Sequence, residues 1–185
     1  MPENKVYLTF GRHERYGDDT AITREDMLAA YHTGILLGTI LPPCATVYHS
    51  PLARAAETAR FEALGMRCDN LIETDFLTED TPKFTIQKFI NGLLQNTDDT
   101  VQYYHFVTHL PVVEKLGMPF LAAGDVCLLT ADNWAEMLAE NFETQLLHKP
   151  TIPSEILRHF DFADFNKLNA DEIYRILNKQ TSLHN

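Results

Sequence analysis

Apolar segments that resemble β-strands alternate with helical patterns through most of this chain. The strand candidates are rich in β-branched and aromatic residues, and they cover residues 5–10, 45–50, 70–74, 101–109 and 125–130. Apolar spacing and helix-forming composition predict helices over 23–37, 52–64, 83–95, 110–117 and 131–142. This alternation predicts an α/β fold, a three-layer α/β/α sandwich with a mostly parallel central sheet.

Two helix ends carry specific signals. Thr23, followed by Asp26 three residues later, resembles a capping box at the start of the first helix. Gly65 is predicted to end the second helix as its C-cap, because glycine readily adopts the left-handed conformation of that position.

The alternation stops at Pro150 and Pro153, which predicts a domain boundary. Residues 1–150 are predicted to form one domain. Residues 151–185 are predicted to be a helical C-terminal extension packed on or near it, with short helices at 154–160 and 169–178. A chain of 185 residues can bury a sizeable core without a structural metal or disulfide.

The charge balance excludes two classes of partner. With 26 acidic and 15 basic residues the net charge is −11, which repels nucleic acid and anionic membrane surfaces, so neither is an expected partner. The three cysteines form no C-x-x-C pair and leave an odd thiol, which favours a reducing compartment without structural disulfides. No segment has a signal-peptide or membrane-span pattern, so the predicted location is cytoplasmic.

Arginine and histidine residues follow three of the predicted strands. Arg12 and His13 follow the first, Arg54 follows the second, and His109 follows the fourth. The carboxyl ends of parallel strands meet at one edge of a sheet, where binding crevices form. Guanidinium groups bind phosphate oxygens bidentately, and a neutral imidazole can attack phosphorus while a second stabilises the developing charge. The pattern therefore predicts a phosphoryl-transfer site.

Three stretches carry a family resemblance: LTFGRHE, VYHSPLARAAETA and YYHFVTHLPVVEKLG. They resemble motifs of the histidine phosphatase superfamily, also called phosphoglycerate mutase-like, and are most similar to those of its small bacterial phosphohistidine phosphatases. The resemblance implies the phosphoglycerate mutase-like sandwich and a phosphatase that needs no metal or other cofactor.

The same resemblance assigns roles to individual residues. It implies that His13 is the phosphorylated nucleophile, that Arg12 and Arg54 bind phosphate, and that His109 is a second imidazole in contact with the phosphate. It also implies a phosphorylated protein substrate, with phosphohistidine in a histidine phosphotransfer-type domain, and a pocket that takes phosphate or sulfate.

Glu14 departs from the family pattern, which has glycine at this position. A carboxylate aimed at the pocket would repel phosphate, and the chain would then be a catalytically impaired relative that binds phosphorylated ligands. We expect Glu14 instead to point away from the pocket, or to pair with Arg15, Arg24 or Lys83.

A general acid is the remaining open role. Ester hydrolysis needs an acid to protonate the leaving alkoxide, whereas phosphohistidine can expel a neutral imidazole once its ring is protonated. Glu79, after the third strand, is the candidate chosen by position. Glu73 and Asp80 in the same region, and Asp18 and Asp19 after the first strand, are alternatives. A phosphatase for small phosphoesters such as sugar phosphates therefore stays an alternative function.

Overall fold

The computed structural model describes residues 5–16, 22–98 and 100–152, so the predicted C-terminal helices lie outside the described residues. The strands are β1 (Val6–Arg12), β2 (Thr46–His49), β3 (Leu71–Glu73), β4 (Tyr103–Thr108), β5 (Val126–Ala131) and β6 (Glu143–Leu147). The helices are α1 (Arg24–Ile40), α2 (Ala53–Met66), α3 (Lys83–Gln95), α4 (Leu110–Lys115) and α5 (Trp134–Leu138), with a 3-10 turn at Asp75–Leu77. None of the helices in these ranges is long and apolar enough to span a bilayer.

The strands form one six-stranded sheet in the order β3-β2-β4-β1-β5-β6. The pairs β2–β3, β2–β4 and β1–β4 are parallel, whereas β5 runs antiparallel to both β1 and β6. The predicted mostly parallel sheet is therefore confirmed. Its two central strands place their carboxyl ends side by side, since Arg12 of β1 is in register with Thr108 of β4.

Side chains of the central strands alternate between two cores. Leu8 and Phe10 of β1 and Phe106 of β4 pack in one core with the apolar residues of α3, α4 and α5. Tyr103 and Val107 of β4 face the opposite side, where they pack against α2. This period of two, with helices covering both faces, produces the three-layer α/β/α sandwich that the alternation predicted.

The two predicted helix-end signals have different outcomes. The Thr23 cap is confirmed, since its side-chain oxygen accepts from the backbone N–H of Asp26. The C-cap prediction for Gly65 is wrong, because α2 continues to Met66 and its C-cap is Arg67, which takes the left-handed conformation. Gly65 is needed for packing instead: a Cβ there would lie 2.2 Å from the backbone oxygen of Tyr31 in α1.

The region after β5 also differs from its prediction. The helix expected over 131–142 covers only Trp134–Leu138, because β5 continues to Ala131. No strand was predicted over β6, an edge strand whose first three residues are exposed. Its pairing with β5 brings the chain back to the edge of the sheet at which β1 ends.

Candidate active site

Four predicted side chains meet at the carboxyl ends of β1, β2 and β4. Arg12 ends β1 and His13 follows it, while His109 follows β4 and precedes α4. Arg54 lies in the first turn of α2, after β2. The imidazole rings of His13 and His109 are 5.0 Å apart between centroids, and the Arg54 guanidinium contacts His13.

The backbone fixes the tautomer of His13. Its Nδ1 lies 2.6 Å from the carbonyl oxygen of Glu14, which can only accept a hydrogen bond, so Nδ1 carries the proton. The lone pair is then on Nε2, which accepts from Arg54 Nε at 3.1 Å. His13 therefore presents a nucleophilic nitrogen toward a guanidinium group.

His109 and Arg12 each hold a buried nitrogen that makes no hydrogen bond among the described residues. His109 Nε2 lies 2.8 Å from the Ser50 hydroxyl, but its Nδ1 makes no hydrogen bond within the described part of the chain. Arg12 donates from one terminal nitrogen to the Leu121 carbonyl at 3.0 Å, while its Nε has no partner among the described residues. Buried donors of this kind are costly, and an oxyanion in the site would satisfy them.

Both imidazoles are held in the neutral form. Burial lowers the pKa of His13 to about 4, the Glu14 carbonyl opposes this shift, and the charges of Arg54 and Arg12 reinforce it. Burial likewise lowers the pKa of His109 to about 3, with further contributions from His13 and the two arginines. At neutral pH one ring is therefore a competent nucleophile and the other a neutral hydrogen-bonding group.

The two histidines are expected to titrate well below the ordinary histidine range. In an NMR titration of the free protein, the His13 and His109 signals should stay neutral down to about pH 5, because burial and the arginines disfavour the cation. Adding tungstate should move both midpoints upward, since a bound anion stabilises imidazolium. His13→Asn and His109→Gln assign the signals. Midpoints near 6.5 without anion would contradict this electrostatic description.

Glu79 also reaches this group. It follows the 3-10 turn after β3, and its carboxylate accepts a hydrogen bond from a terminal nitrogen of Arg54. The same oxygen lies 3.3 Å from His109 Nδ1, and the side chain is 41% exposed, so it forms part of the mouth of the site. The alternative acids Glu73 and Asp80 are exposed, and Asp18 and Asp19 lie outside the described residues.

The geometry favours an anion over a metal ion. His13, Glu79 and His109 offer ligand atoms within 4.8 Å of one another, and they are the one such group among the described residues. However, Arg54 donates to both His13 and Glu79, so its positive charge lies between potential ligands. A cation there would be repelled by Arg54, whereas a phosphate would be attracted to it.

Three further residues support the site without a predicted role. Ser50 contacts His109, and Thr58 accepts from the backbone N–H of Glu14 at 3.0 Å. Tyr16 lies at the rim, 52% exposed, with its ring 5.0 Å from the Arg54 guanidinium carbon. The sequence signal for Ser50 and Thr58 is their place in the stretch VYHSPLARAAETA, whereas Tyr16 has no distinguishing signal.

The Glu14 carboxylate is turned away from the two imidazoles. It is fully buried beside Gly124, where a Cβ would lie 2.3 Å from Glu14 Oε1 and the φ of +83° also favours glycine. The carboxylate is absent from the charges that shift the pKa of His13, which are those of Arg54, Arg12 and Glu79. The expectation that Glu14 points away from the pocket agrees with this orientation.

The alternative prediction, that Glu14 pairs with Arg15, Arg24 or Lys83, was wrong. Its carboxylate pairs with Lys149, whose Nζ lies 2.7 Å from Glu14 Oε2 and 3.3 Å from Asp26 Oδ1. The reason is the register of β6, in which Leu147 pairs with Val126 of β5. Because the two strands are antiparallel, two residues after Leu147 and two residues before Val126 bring Lys149 opposite Gly124. Burial raises the pKa of Glu14 to about 7, although Lys149 opposes this shift.

Comparisons with known proteins identify the fold. No protein-family profile and no curated protein matches the chain. Among solved structures, a putative phosphohistidine phosphatase SixA from Nakamurella multipartitia has a TM-score of 0.60 at 17% identity, covering 82% of this chain and 100% of that one. The protein histidine phosphatase SixA complexed with tungstate has a TM-score of 0.61 at 15% identity, covering 78% of this chain and 96% of the other.

A third similar structure is that of a phosphatase named for a different substrate. A mycobacterial glucosyl-3-phosphoglycerate phosphatase in complex with VO3 has a TM-score of 0.56 at 12% identity, covering 76% of this chain and 97% of that one. The chain thus has the phosphoglycerate mutase-like fold that its sequence motifs predicted.

Proposed function

We propose that this protein is a phosphatase that transfers a phosphoryl group to His13 and then to water. The proposal rests on the convergence of two neutral imidazoles and two guanidinium groups, with buried nitrogens of Arg12 and His109 that make no hydrogen bond in the described residues. A phosphate dianion would supply oxygens to these donors. Tungstate and VO3, which are held by two proteins of the same fold, resemble phosphate in charge and shape.

The first chemical step uses the free lone pair of His13. Arg12 and Arg54 bind the phosphoryl oxygens, and Nε2 of His13 attacks phosphorus in line with the leaving group. The bond from phosphorus to the leaving group breaks as the bond to Nε2 forms. With its Nε2 accepting from Ser50, His109 donates from Nδ1 to an equatorial oxygen, which stabilises the charge of the transition state.

The second step returns the enzyme to its starting form. A water molecule attacks phosphorus, the bond to His13 Nε2 breaks, and inorganic phosphate leaves with the proton that water loses. The Glu14 carbonyl holds the Nδ1 proton throughout, so the ring recovers its lone pair at Nε2. Neither step needs a metal ion. This agrees with the positive charge of Arg54, which lies between His13 and Glu79.

Phosphohistidine in a protein is the substrate that we propose. Glu79, the carboxylate nearest the histidines, accepts a hydrogen bond from Arg54 and is therefore engaged as an acceptor rather than free as a proton donor. A substrate whose leaving imidazole carries its own proton suits such a site. We propose that a protein-borne ring approaches His13 past the partly exposed side chains of Tyr16 and Glu79.

The small phosphoester alternative also has an observation in its favour. Glu79 is 41% exposed and 3.3 Å from His109, a position from which a protonated carboxyl could reach a leaving alkoxide. The fold likeness to a sugar-phosphate phosphatase is consistent with that chemistry.

Glu79→Gln separates the two substrate classes. We expect hydrolysis of a phosphohistidine protein to change by less than about tenfold, whereas any ester hydrolysis that uses Glu79 as the acid should fall by about 10²–10⁴-fold. Steady-state kcat with each substrate measures this. Asp80→Asn, an exposed neighbouring acid, is the matched control. A large loss on phosphohistidine would mean that Glu79 is required there as well.

Substrate profiling tests the proposed function as a whole. The full chain is incubated with a phosphorylated histidine phosphotransfer domain, and separately with sugar phosphates, while phosphate release is measured. We expect the higher kcat/KM on the phosphoprotein and inhibition by vanadate. Preference for esters would establish the alternative, and tungstate binding without hydrolysis of any substrate would mark a binding-only protein.

We also propose a partner class and a compartment for this activity. The net charge of −11 argues for a phosphorylated protein partner and against nucleic acid or a membrane surface. The odd number of cysteines favours the cytoplasm as its compartment.

A further inference from the structure

Two of the three cysteines lie directly opposite each other outside the active site. Val47 of β2 is in parallel register with Leu71 of β3. Cys44 and Cys68 each lie three residues before these paired residues, just ahead of the two strands. Each thiol lies against a carbonyl two residues further along its own chain, that of Thr46 and that of Asn70. The two sulfur atoms therefore occupy equivalent positions on two neighbouring segments of the same chain.

The two thiols also interact electrostatically. Each is the largest influence on the pKa of the other, and both are only partly buried at the edge of the core beneath α2. Asn70 ties the segments together, since its amide nitrogen donates to Ala45 O at 3.2 Å and to Thr46 Oγ1 at 2.8 Å. The spacing between neighbouring β-strands brings opposite Cα atoms to the separation that a disulfide spans.

We propose that Cys44 and Cys68 form a reversible disulfide when the protein meets a peroxide. The modification site is the pair itself, in which one sulfur attacks the oxidant and the other resolves the product. Because the two residues lie opposite each other on neighbouring segments of the sheet, closure needs little movement of the backbone. The pair lies at the amino ends of β2 and β3, at the opposite edge of the sheet from His13 and His109.

The surroundings divide the two roles between the thiols. Interaction with the Cys44 thiol lowers the pKa of Cys68, which favours the Cys68 thiolate as the attacking group. The same interaction, with burial, raises the pKa of Cys44, which retains its proton. Cys127, buried in β5, has its pKa raised to about 11 by burial and is expected to be inert.

The reaction balances with hydrogen peroxide as the oxidant. The Cys68 thiolate attacks one oxygen, the O–O bond breaks, and a sulfenic acid forms as the other oxygen leaves as hydroxide. Cys44 sulfur then attacks the sulfenic sulfur, the S–O bond breaks, and hydroxide leaves. Protons, one of them from Cys44, convert both hydroxides to water. Two electrons pass from the thiols to peroxide, and a small dithiol returns them by thiol–disulfide exchange.

Thiol counting on the peroxide-treated full chain tests the proposal. After denaturation and alkylation we expect the number of reactive thiols to fall from three to one, with the remaining thiol on the Cys127 peptide and Cys44 linked to Cys68. Cys127→Ser, the matched control, should form the same link. Cys44→Ser should instead leave a sulfenic acid on Cys68, which a 1,3-dione reagent traps.

Thermal unfolding gives an independent readout. The disulfide would close the chain from residue 44 to residue 68, and constraint of the unfolded state should raise Tm by roughly 5–10 °C. A dithiol should reverse the rise, and Cys44→Ser and Cys68→Ser should not show it. The proposal is overturned if both thiols stay alkylatable in peroxide-treated wild-type protein, or if the disulfides found involve Cys127 or join separate molecules. None of these results depends on phosphatase activity.

Discussion

His13→Asn is expected to reduce phosphatase turnover by at least about 10⁴-fold, because it removes the nitrogen on which the phosphoryl group is carried. Asparagine keeps a polar side chain of similar size at this buried position, so the fold and the anion pocket should persist. Tungstate binding, measured by calorimetry beside kcat, separates the two effects. The variant should still bind the anion through Arg12, Arg54 and His109.

His148→Asn is the matched control for this substitution. His148 lies beyond β6 with a side chain that is 74% exposed, so turnover should stay within about twofold of wild type, as expected for surface substitutions. If His13→Asn kept more than a tenth of wild-type turnover, His13 would not be the phosphate carrier. The catalytic proposal would then have to be abandoned.

Lys149→Met should lower the free energy of unfolding by about 3–5 kcal/mol at pH 8, because it leaves the Glu14 carboxylate buried without a cation. Asp26, the second partner of Lys149, keeps hydrogen bonds from Arg15 and Thr23, so most of the cost arises at Glu14. Urea unfolding measures the change. Because the Glu14 carbonyl holds His13, turnover should also fall at this pH.

The effect of Lys149→Met should depend on pH. The folded pKa of Glu14 is about 7, above its ordinary 4.5, so the folded state binds the proton more tightly than the unfolded state does. This contribution to stability is fully present below 4.5 and is lost as the pH rises through about 7. Removing Lys149 raises the folded pKa further, so the variant should lose less stability at pH 5 than at pH 8.

Glu14→Gln distinguishes a charge effect from a packing effect. In the double variant with Lys149→Met, the buried group is neutral at every pH, so much of the lost stability should return at pH 8. An equal loss at pH 5 and pH 8, or a double variant no more stable than Lys149→Met, would show that the charge of Glu14 is not the cause.

The four residues at the candidate site could be placed from the sequence because parallel pairing leaves little freedom. Once β1, β2 and β4 are recognised as parallel strands, Arg12, His13 and His109 must emerge at one edge. Arg54 follows because a helix begins shortly after β2. Short-range pattern and sheet topology were sufficient here, since each residue lies within a few positions of a strand end.

The partner of Glu14 could not be predicted in the same way. Lys149 lies 135 residues away, and its approach depends on β6, whose pairing with β5 no local pattern revealed. The C-cap prediction for Gly65 failed for a similar reason. Glycine is required there by contact with Tyr31 of α1, not by the end of α2. Both failures concern contacts between elements, which depend on tertiary packing and not on local propensity.

Trapping of the phosphorylated enzyme is the most direct test of the central proposal. Wild-type protein is mixed with a phosphohistidine protein, quenched in alkali within the first turnover, digested and analysed by mass spectrometry. The proposal predicts one phosphate on the peptide that contains His13, stable in alkali, lost in acid and absent from His13→Asn. Release of phosphate with the His13 peptide unmodified at every quench time, or with phosphate on another residue, would contradict it.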